Sequence, residues 1–367
     1  MKKIKAFYFY LKLLGFRFCS TFYRKIGSNA ILLDQTSKKT VNVSLPHNFE
    51  DIKDLWLPPS WMVQYDISNY SIEALNNVFI SNDGVVFNER SVFMNSLVYP
   101  HFKSRFGLKY RYERLRLAVK EIENPVFLVW NHWSKANYYH WMIESLGVLL
   151  MSKKLNQSIT LVIDEEAPLF VLESLKAFEE VNIIRMSKNL VIKARHLFLP
   201  KYPTSSGKID AYLVNGLRKE LLEYSSKVNS VYETSSNVYV SRSRQKMRSL
   251  LNEEELLNDL KAKDFKLVYF EDYNFWDQIA IMKNATFLIA PHGANLVNML
   301  VMKEGSTVLE FNKKDIHNAT LCYWQLATAL NFTYFYVPVE EIEGNFKLDE
   351  KALTLTRKYI EYTKDEK

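Results

Sequence analysis

Cysteine is nearly missing from this sequence: Cys19 and Cys322 are the only two in 367 residues. Two sulfurs make no disulfide framework, so burial must hold the fold, and the chain suits a reducing compartment. No Cys/His spacing fits a zinc site, so no metal centre is expected. The patterns GxxxxGK[ST] and GxGxxG are absent, which weighs against kinase, ATPase and nicotinamide-dependent dehydrogenase chemistry. Asp-x-Asp, a common bridge to a divalent ion on a diphosphate ligand, is absent too. Asp164-Glu165-Glu166 is acidic but reads as a loop after a strand. Negative charge is missing from the first 33 residues, since Asp34 is the first acidic one.

What precedes Asp34 is basic: Lys2, Lys3, Lys5, Lys12, Arg17, Arg24 and Lys25 account for the formal net charge of +7. The remainder balances, 41 basic against 41 acidic residues. Net basicity therefore belongs to a tail and gives no reason to expect a nucleic-acid partner. Ile4, Phe7, Tyr8, Leu11, Phe18 and Phe22 fall on one face at helical spacing. Lys12 and Arg17 interrupt the apolar run, which argues against a transmembrane span. No small-x-small cleavage site follows it. Residues 1–30 thus read as a basic amphipathic helix, residues 1–28 of which lie on an anionic membrane surface. The alternative is a helix packed on the protein's own core with its basic face solvated. With the reducing compartment, the first reading implies a cytoplasmic protein, peripheral at the inner face of the cell membrane.

An apolar content of 48% marks a globular chain, and the length suits two domains. Residues 31–120 read as short strands and turns of unreadable topology. From Pro125 strands and helices alternate: strands at 126–130, 159–163, 181–185 and 196–199, helices at 138–154, 168–179 and 208–224. Residues 225–236, polar and serine-rich, read as a linker. A second alternation has strands at 238–241, 265–270, 286–290, 307–311 and 332–337, with helices at 253–262, 275–283, 295–302 and 318–330. Asn252 with Glu255 resembles a capping box. Such alternation implies parallel sheets, and we expect two Rossmann-like α/β domains with a cleft between them. Their bounds are 31–225 and 237–345, followed by a helix within 346–367.

Three constellations carry chemistry. Ala290-Pro291-His292-Gly293-Ala294-Asn295 ends an apolar strand and opens a helix. Ligands of open α/β sheets bind beyond strand carboxyl ends, a helix N-terminus suits a phosphate, and Gly293 admits close backbone approach. Ser241-Arg242-Ser243-Arg244-Gln245-Lys246-Met247-Arg248 leaves another strand end, where arginines can fork onto a diphosphate. Its alternative is a solvated loop. Glu310 closes the strand 307–311, where a carboxylate can accept from both ribose hydroxyls or pair with Lys313 or Lys314. The third constellation is Asn137-Tyr138-Tyr139-His140-Trp141-Met142-Ile143-Glu144. His140 and Glu144, at i and i+4, share a helix face, and an imidazole there can take a proton with the carboxylate orienting it or exchanging roles with it. The alternative is a surface ion pair or a satisfied buried histidine.

These pieces resemble glycosyltransferase family 61, a group that includes capsular polysaccharide biosynthesis-type enzymes. The resemblance rests on Tyr139-His140-Trp141 with Glu144, on Ser241-Arg242 with Arg248 and Asn252-Glu253, and on His292-Gly293-Ala294 with Asn298 and Glu310, in the family's order across residues 125–340. It implies a GT-B-like fold, inverting and metal-independent transfer, and a UDP-sugar donor held by the C-terminal domain, with no separate cofactor. The acceptor expected is a glycan or a lipid-linked glycan in surface polysaccharide assembly. On this reading His140 and Glu144 are catalytic. Arg242, Arg248, His292, Gly293, Ala294 and Asn295 grip the diphosphate, with Arg244 in reserve, and Glu310 holds the ribose. A non-catalytic, membrane-docked subunit that binds a nucleotide sugar or glycan is the alternative.

Overall fold

The computed structural model describes residues 23–24, 30–32, 39–89, 91–97, 106, 108–135, 137–179, 181–228, 232, 235–315 and 320–362. The amphipathic segment expected at the N-terminus lies outside these, apart from a strand pair at Tyr23–Arg24 and the start of Ala30–Leu32. No described helix is long and apolar enough to cross a membrane. The chain divides into two units. One comprises Ser68–Ser206 with the described residues before Lys39, and the other comprises Lys39–Ile67 with the described residues from Gly207 onward.

The first unit is built on a mixed sheet. Its main strands are β1 (Ser71–Ile80), β2 (Val126–Phe127), β3 (Ile159–Asp164), β4 (Val181–Met186) and β5 (Leu190–Lys201). They lie in the order β1-β5-β2-β3-β4. Strands β5, β2, β3 and β4 run parallel. Strand β1 is antiparallel to β5, from Ile80 opposite Ile192 to Ser71 opposite Lys201. The expected α/β alternation is present, but β1 makes the sheet mixed rather than parallel. Strand β5 also runs far beyond the expected 196–199. Its polar residues hide it in the sequence and find cross-strand partners in the fold: Arg195 with Glu123 at 2.6 Å and His196 with Asn76 at 2.9 Å. Strand β3 is buried throughout, as a central parallel strand should be. Helix α1 (Leu169–Leu175) links β3 to β4.

The second unit has strands β6 (Asn237–Val240), β7 (Lys266–Val268), β8 (Phe287–Pro291), β9 (Thr307–Lys313), β10 (Thr333–Ile342) and β11 (Asn345–Lys347). They are ordered β7-β6-β8-β9-β10-β11, parallel through β10, with β11 folded back as a hairpin. The chain starts at β6, moves to one side for β7 and returns to the other for β8. That reversal is a topological switch point, the place where open α/β sheets bind ligands. Helices α2 (Ala211–Ser225), α3 (Glu254–Ala262), α4 (Phe275–Met282), α5 (Cys322–Ala329) and α6 (Glu350–Ile360) accompany the sheet. Asp210, Asn274 and Asp349 cap α2, α4 and α6 by accepting main-chain N–H bonds. At the start of α3 Asn252 Nδ2 donates to Glu255 Oε1 at 3.0 Å, so the two expected residues pair, though no side chain caps a main-chain N–H there. Asn252 also brackets the main chain of Leu348, donating to its carbonyl at 2.9 Å and accepting from its N–H at 3.0 Å.

The division between units falls at Gly207, upstream of the serine-rich segment. Helix α2 belongs to the second unit, where Arg218 donates to the Leu300 carbonyl at 2.6 Å. Residues 39–67 also join that unit. Asn48 forms two hydrogen bonds with the main chain of Tyr336, and Trp56, 1% exposed, packs on Tyr336 and Trp324 at ring distances of 4.8 and 5.5 Å. Replacing so buried an indole should cost about 3–5 kcal/mol. Urea unfolding of Trp56→Ala is expected to show a loss of that order, and a loss under about 1 kcal/mol would place residues 39–67 outside the core.

Candidate active site

The loop after β6 carries the arginines. Ser241 is buried, and its hydroxyl oxygen accepts from the N–H of Ser243 at 3.0 Å, turning the chain sharply away from the strand. The Arg242 side chain then runs back over Gly293. A Cβ on Gly293 would overlap the Arg242 guanidinium, with Cζ 2.7 Å away, and would stand 2.9 Å from Asn295 Oδ1. Any side chain at 293 would therefore push the Arg242 guanidinium out of this position. The guanidinium donates to the Met247 carbonyl at 3.2 Å. Its Nε is buried without a hydrogen-bond partner, as is Asn295 Oδ1. Burial, and behind it the positive charge of Arg248, lowers the Arg242 pKa from its ordinary range. Among the described residues no carboxylate forms an ion pair with Arg242 or Arg248.

Arg248 is held from outside the loop. Its φ is +60°, a left-handed conformation that costs a non-glycine residue energy. The β10–β11 hairpin fixes it there. The Arg248 N–H donates to the Gly344 carbonyl at 2.8 Å, Ser249 Oγ donates to Asn345 Oδ1 at 2.9 Å, and Leu250 bridges to the fully buried Phe346. The turn of that hairpin, Glu343-Gly344, has both φ values positive, which matches the twist of a tight hairpin.

The loop after β8 adds His292 and Gly293. Ala294 opens a tight helix of 3-10 type, Ala294–Val301, rather than the expected α-helix, and Asn298 anchors it to Gln278 at 3.0 Å. His292 Nδ1 pairs with Glu310, and its ring centroid lies 5.0 Å from that of Tyr323. Glu310 is not presented at a ligand edge, as the sequence reading had it. It is 0% exposed, and its oxygens accept from His292, from the Tyr334 hydroxyl at 2.5 Å and from Asn312 Nδ2 at 3.2 Å. A buried carboxylate must be paired and hydrogen-bonded in this way. Burial first, then the charge of Glu310, lifts the Tyr334 hydroxyl well above the usual phenol range. The reserve residue Arg244 is likewise engaged elsewhere, paired with Asp272 at 2.6 Å with its Cζ 3.8 Å from the Tyr269 ring centroid. Arg242, Arg248 and the 292–295 loop therefore converge, Glu310 supports that loop through His292, and Arg244 turns to Asp272.

The first unit holds the other constellation. His140 begins a π-helical turn, His140–Leu146, a geometry frequent at functional sites. His140 Nδ1 lies 2.7 Å from Glu144 Oε2, with side chains 13% and 9% exposed. The other Glu144 oxygen accepts from the Ser206 hydroxyl. Nδ1 and the carboxylate thus fix each other, which leaves Nε2 as the imidazole atom available for proton transfer. Ser206 lies 62 residues from Glu144 along the chain, and no local pattern announces it.

Residues 138–309 match the family model described as Glycosyltransferase 61. Among curated proteins the chain is similar to protein O-linked-mannose beta-1,4-N-acetylglucosaminyltransferase 2 of Mus musculus and of Homo sapiens. Each is 42% identical over 72 residues, covering 18% of this chain and 12% of the relative. It is also similar to EGF domain-specific O-linked N-acetylglucosamine transferase of Drosophila melanogaster, 36% identical over 99 residues, covering 26% of this chain and 18% of that protein. The chain thus matches under a fifth of the length of these relatives. The matched stretch contains His140 and Glu144 of the first unit and Arg242, Arg248 and His292-Gly293 of the second. Over residues 138–309, just under half of its length, this chain resembles glycosyltransferase family 61.

Proposed function

We propose that this protein is an inverting, metal-independent glycosyltransferase that moves a sugar from a UDP-sugar to a glycan or lipid-linked acceptor. The observation that carries the reading is the partly buried Arg242 guanidinium, beside Arg248 and ion-paired to no carboxylate among the described residues, at the switch point of a parallel sheet. Two cations so placed are suited to a ligand with several negative oxygens, and a diphosphate supplies them. Gly293 lets main-chain N–H groups of the following turn approach the same oxygens.

The reaction is one displacement. An acceptor hydroxyl oxygen attacks the anomeric carbon, the bond from that carbon to the diphosphate oxygen breaks, and the hydroxyl proton passes to Nε2 of His140. Glu144 orients the ring and stabilises the imidazolium that forms, and Ser206 holds Glu144 in turn. A single displacement inverts the anomeric configuration. Charge that develops on the leaving diphosphate meets fixed guanidinium groups. Glu310 acts at one remove by fixing the His292 ring. The printed names of the relatives specify N-acetylglucosamine, so UDP-N-acetylglucosamine is the first donor to assay. The basic residues before Asp34 would dock the enzyme on an anionic membrane surface, where surface polysaccharide is assembled.

Three outcomes test this. His140→Ala should lower kcat by about 10²–10⁴, with Glu144→Gln retaining more activity than His140→Ala. Near-wild-type rates in both variants would remove the base assignment. Arg242→Ala should lower kcat/KM for the donor by about 10²–10³ in steady-state assays, and an unchanged value would refute the diphosphate grip. Turnover should persist in EDTA, whereas strict dependence on Mn²⁺ would contradict metal independence.

A further inference from the structure

The loop after β2 carries an aromatic group that the transfer chemistry leaves unused. Asn131-His132-Trp133-Ser134-Lys135 is tied from within. Asn131 Oδ1 accepts from the N–H groups of Trp133 at 2.9 Å and Ser134 at 3.2 Å, and its Nδ2 donates to Ser145 at 3.2 Å and Tyr202 at 3.3 Å. The Ser134 and Ser145 hydroxyl oxygens lie 2.7 Å apart, and Lys135 pairs with Asp164 at 2.9 Å and Glu166 at 3.0 Å. Asn131, Ser134 and Ser145 are buried. A fully bonded buried polar network of this kind specifies one loop conformation.

What the loop presents is the Trp133 indole. Its ring centroid is 5.1 Å from that of His140, with planes 53° apart, and 5.6 Å from that of His132. Trp130 and Trp141 in the same unit are fully buried, whereas Trp133 is partly open. A tryptophan needed only for packing would join them in the core. A rigid, partly exposed indole leaning on an imidazole has a different use. The aromatic face is electron-rich. A pyranose presents a face of axial C–H groups to such a ring and spreads its equatorial hydroxyls sideways, toward a neighbour at this spacing.

We propose that Trp133 is the platform for the acceptor's sugar ring, and that the acceptor at this site is a pyranoside rather than a bare serine, threonine or lipid hydroxyl. The proposal rests on the reading of His140 as base, because the platform places a ring hydroxyl beside it. The neighbouring indole also favours the cation that His140 becomes on taking the proton.

The test measures acceptor and donor KM with methyl pyranosides of glucose, mannose, galactose and N-acetylglucosamine as acceptors, and with an unglycosylated Ser/Thr peptide as comparison. Trp133→Ala should raise the acceptor KM about tenfold and the donor KM less than twofold, and Trp133→Phe should recover most of the loss. An unchanged acceptor KM in Trp133→Ala, or a peptide used better than every glycoside, would overturn the proposal. Saturation-transfer NMR of the same glycosides on wild type and Trp133→Ala reads the platform without turnover. Signals weakened by the substitution support it, and equal signals overturn it. Glycoside binding that depends on Trp133 in a protein that transfers nothing would instead place the fault in the transferase reading.

Discussion

Two arginine charges brought together, with no ion-paired carboxylate among the described residues, organise the second unit. Burial first, and then repulsion between the two like charges, lowers the Arg242 pKa. Such an arrangement persists only where the surrounding structure imposes it. Here Gly293 gives the Arg242 side chain room to lie down. The β10–β11 hairpin pins Arg248 in a left-handed conformation through Gly344, Asn345 and Phe346. The strand order then puts both loops at the place where the sheet reverses its winding. Each element has ordinary stability reasons to form, and their combination leaves an anion-shaped demand that no described side chain meets.

The same division between a fixed support and a reacting atom recurs in both units. In the second, Tyr334 and Asn312 hold Glu310, and Glu310 holds His292. In the first, Ser206 holds Glu144, and Glu144 holds His140. In each case a buried carboxylate takes the Nδ1 of an imidazole. Supporting partners of this kind set tautomer and ring direction, so their loss should be felt without any contact to a ligand.

Much of this was legible in the residues. The His140–Glu144 pair follows from helical spacing, and the Arg242 and Gly293 loops follow from apolar strands that break into polar turns. The less legible parts depend on distance along the chain. Glu310 sits on a strand that periodicity finds, but its direction is settled by Tyr334 on the next strand over, which no local pattern ties to it. Arg244 looks equivalent to Arg242 in sequence, yet Asp272 claims it. Residues 39–67 join the second unit through Trp56 and Asn48, across some 280 positions. Strand β5 escaped because charged residues on its open face resemble a loop until their cross-strand partners are known.

The most direct test of the central claim is calorimetric titration of the wild-type protein with UDP and with uridine, both in EDTA. If Arg242 and Arg248 grip a diphosphate, UDP should bind about a hundredfold or more tighter than uridine, since charge-assisted hydrogen bonds are each worth about 1.5–3 kcal/mol. Equal affinities, or UDP binding that appears only with added Mn²⁺, would contradict the account.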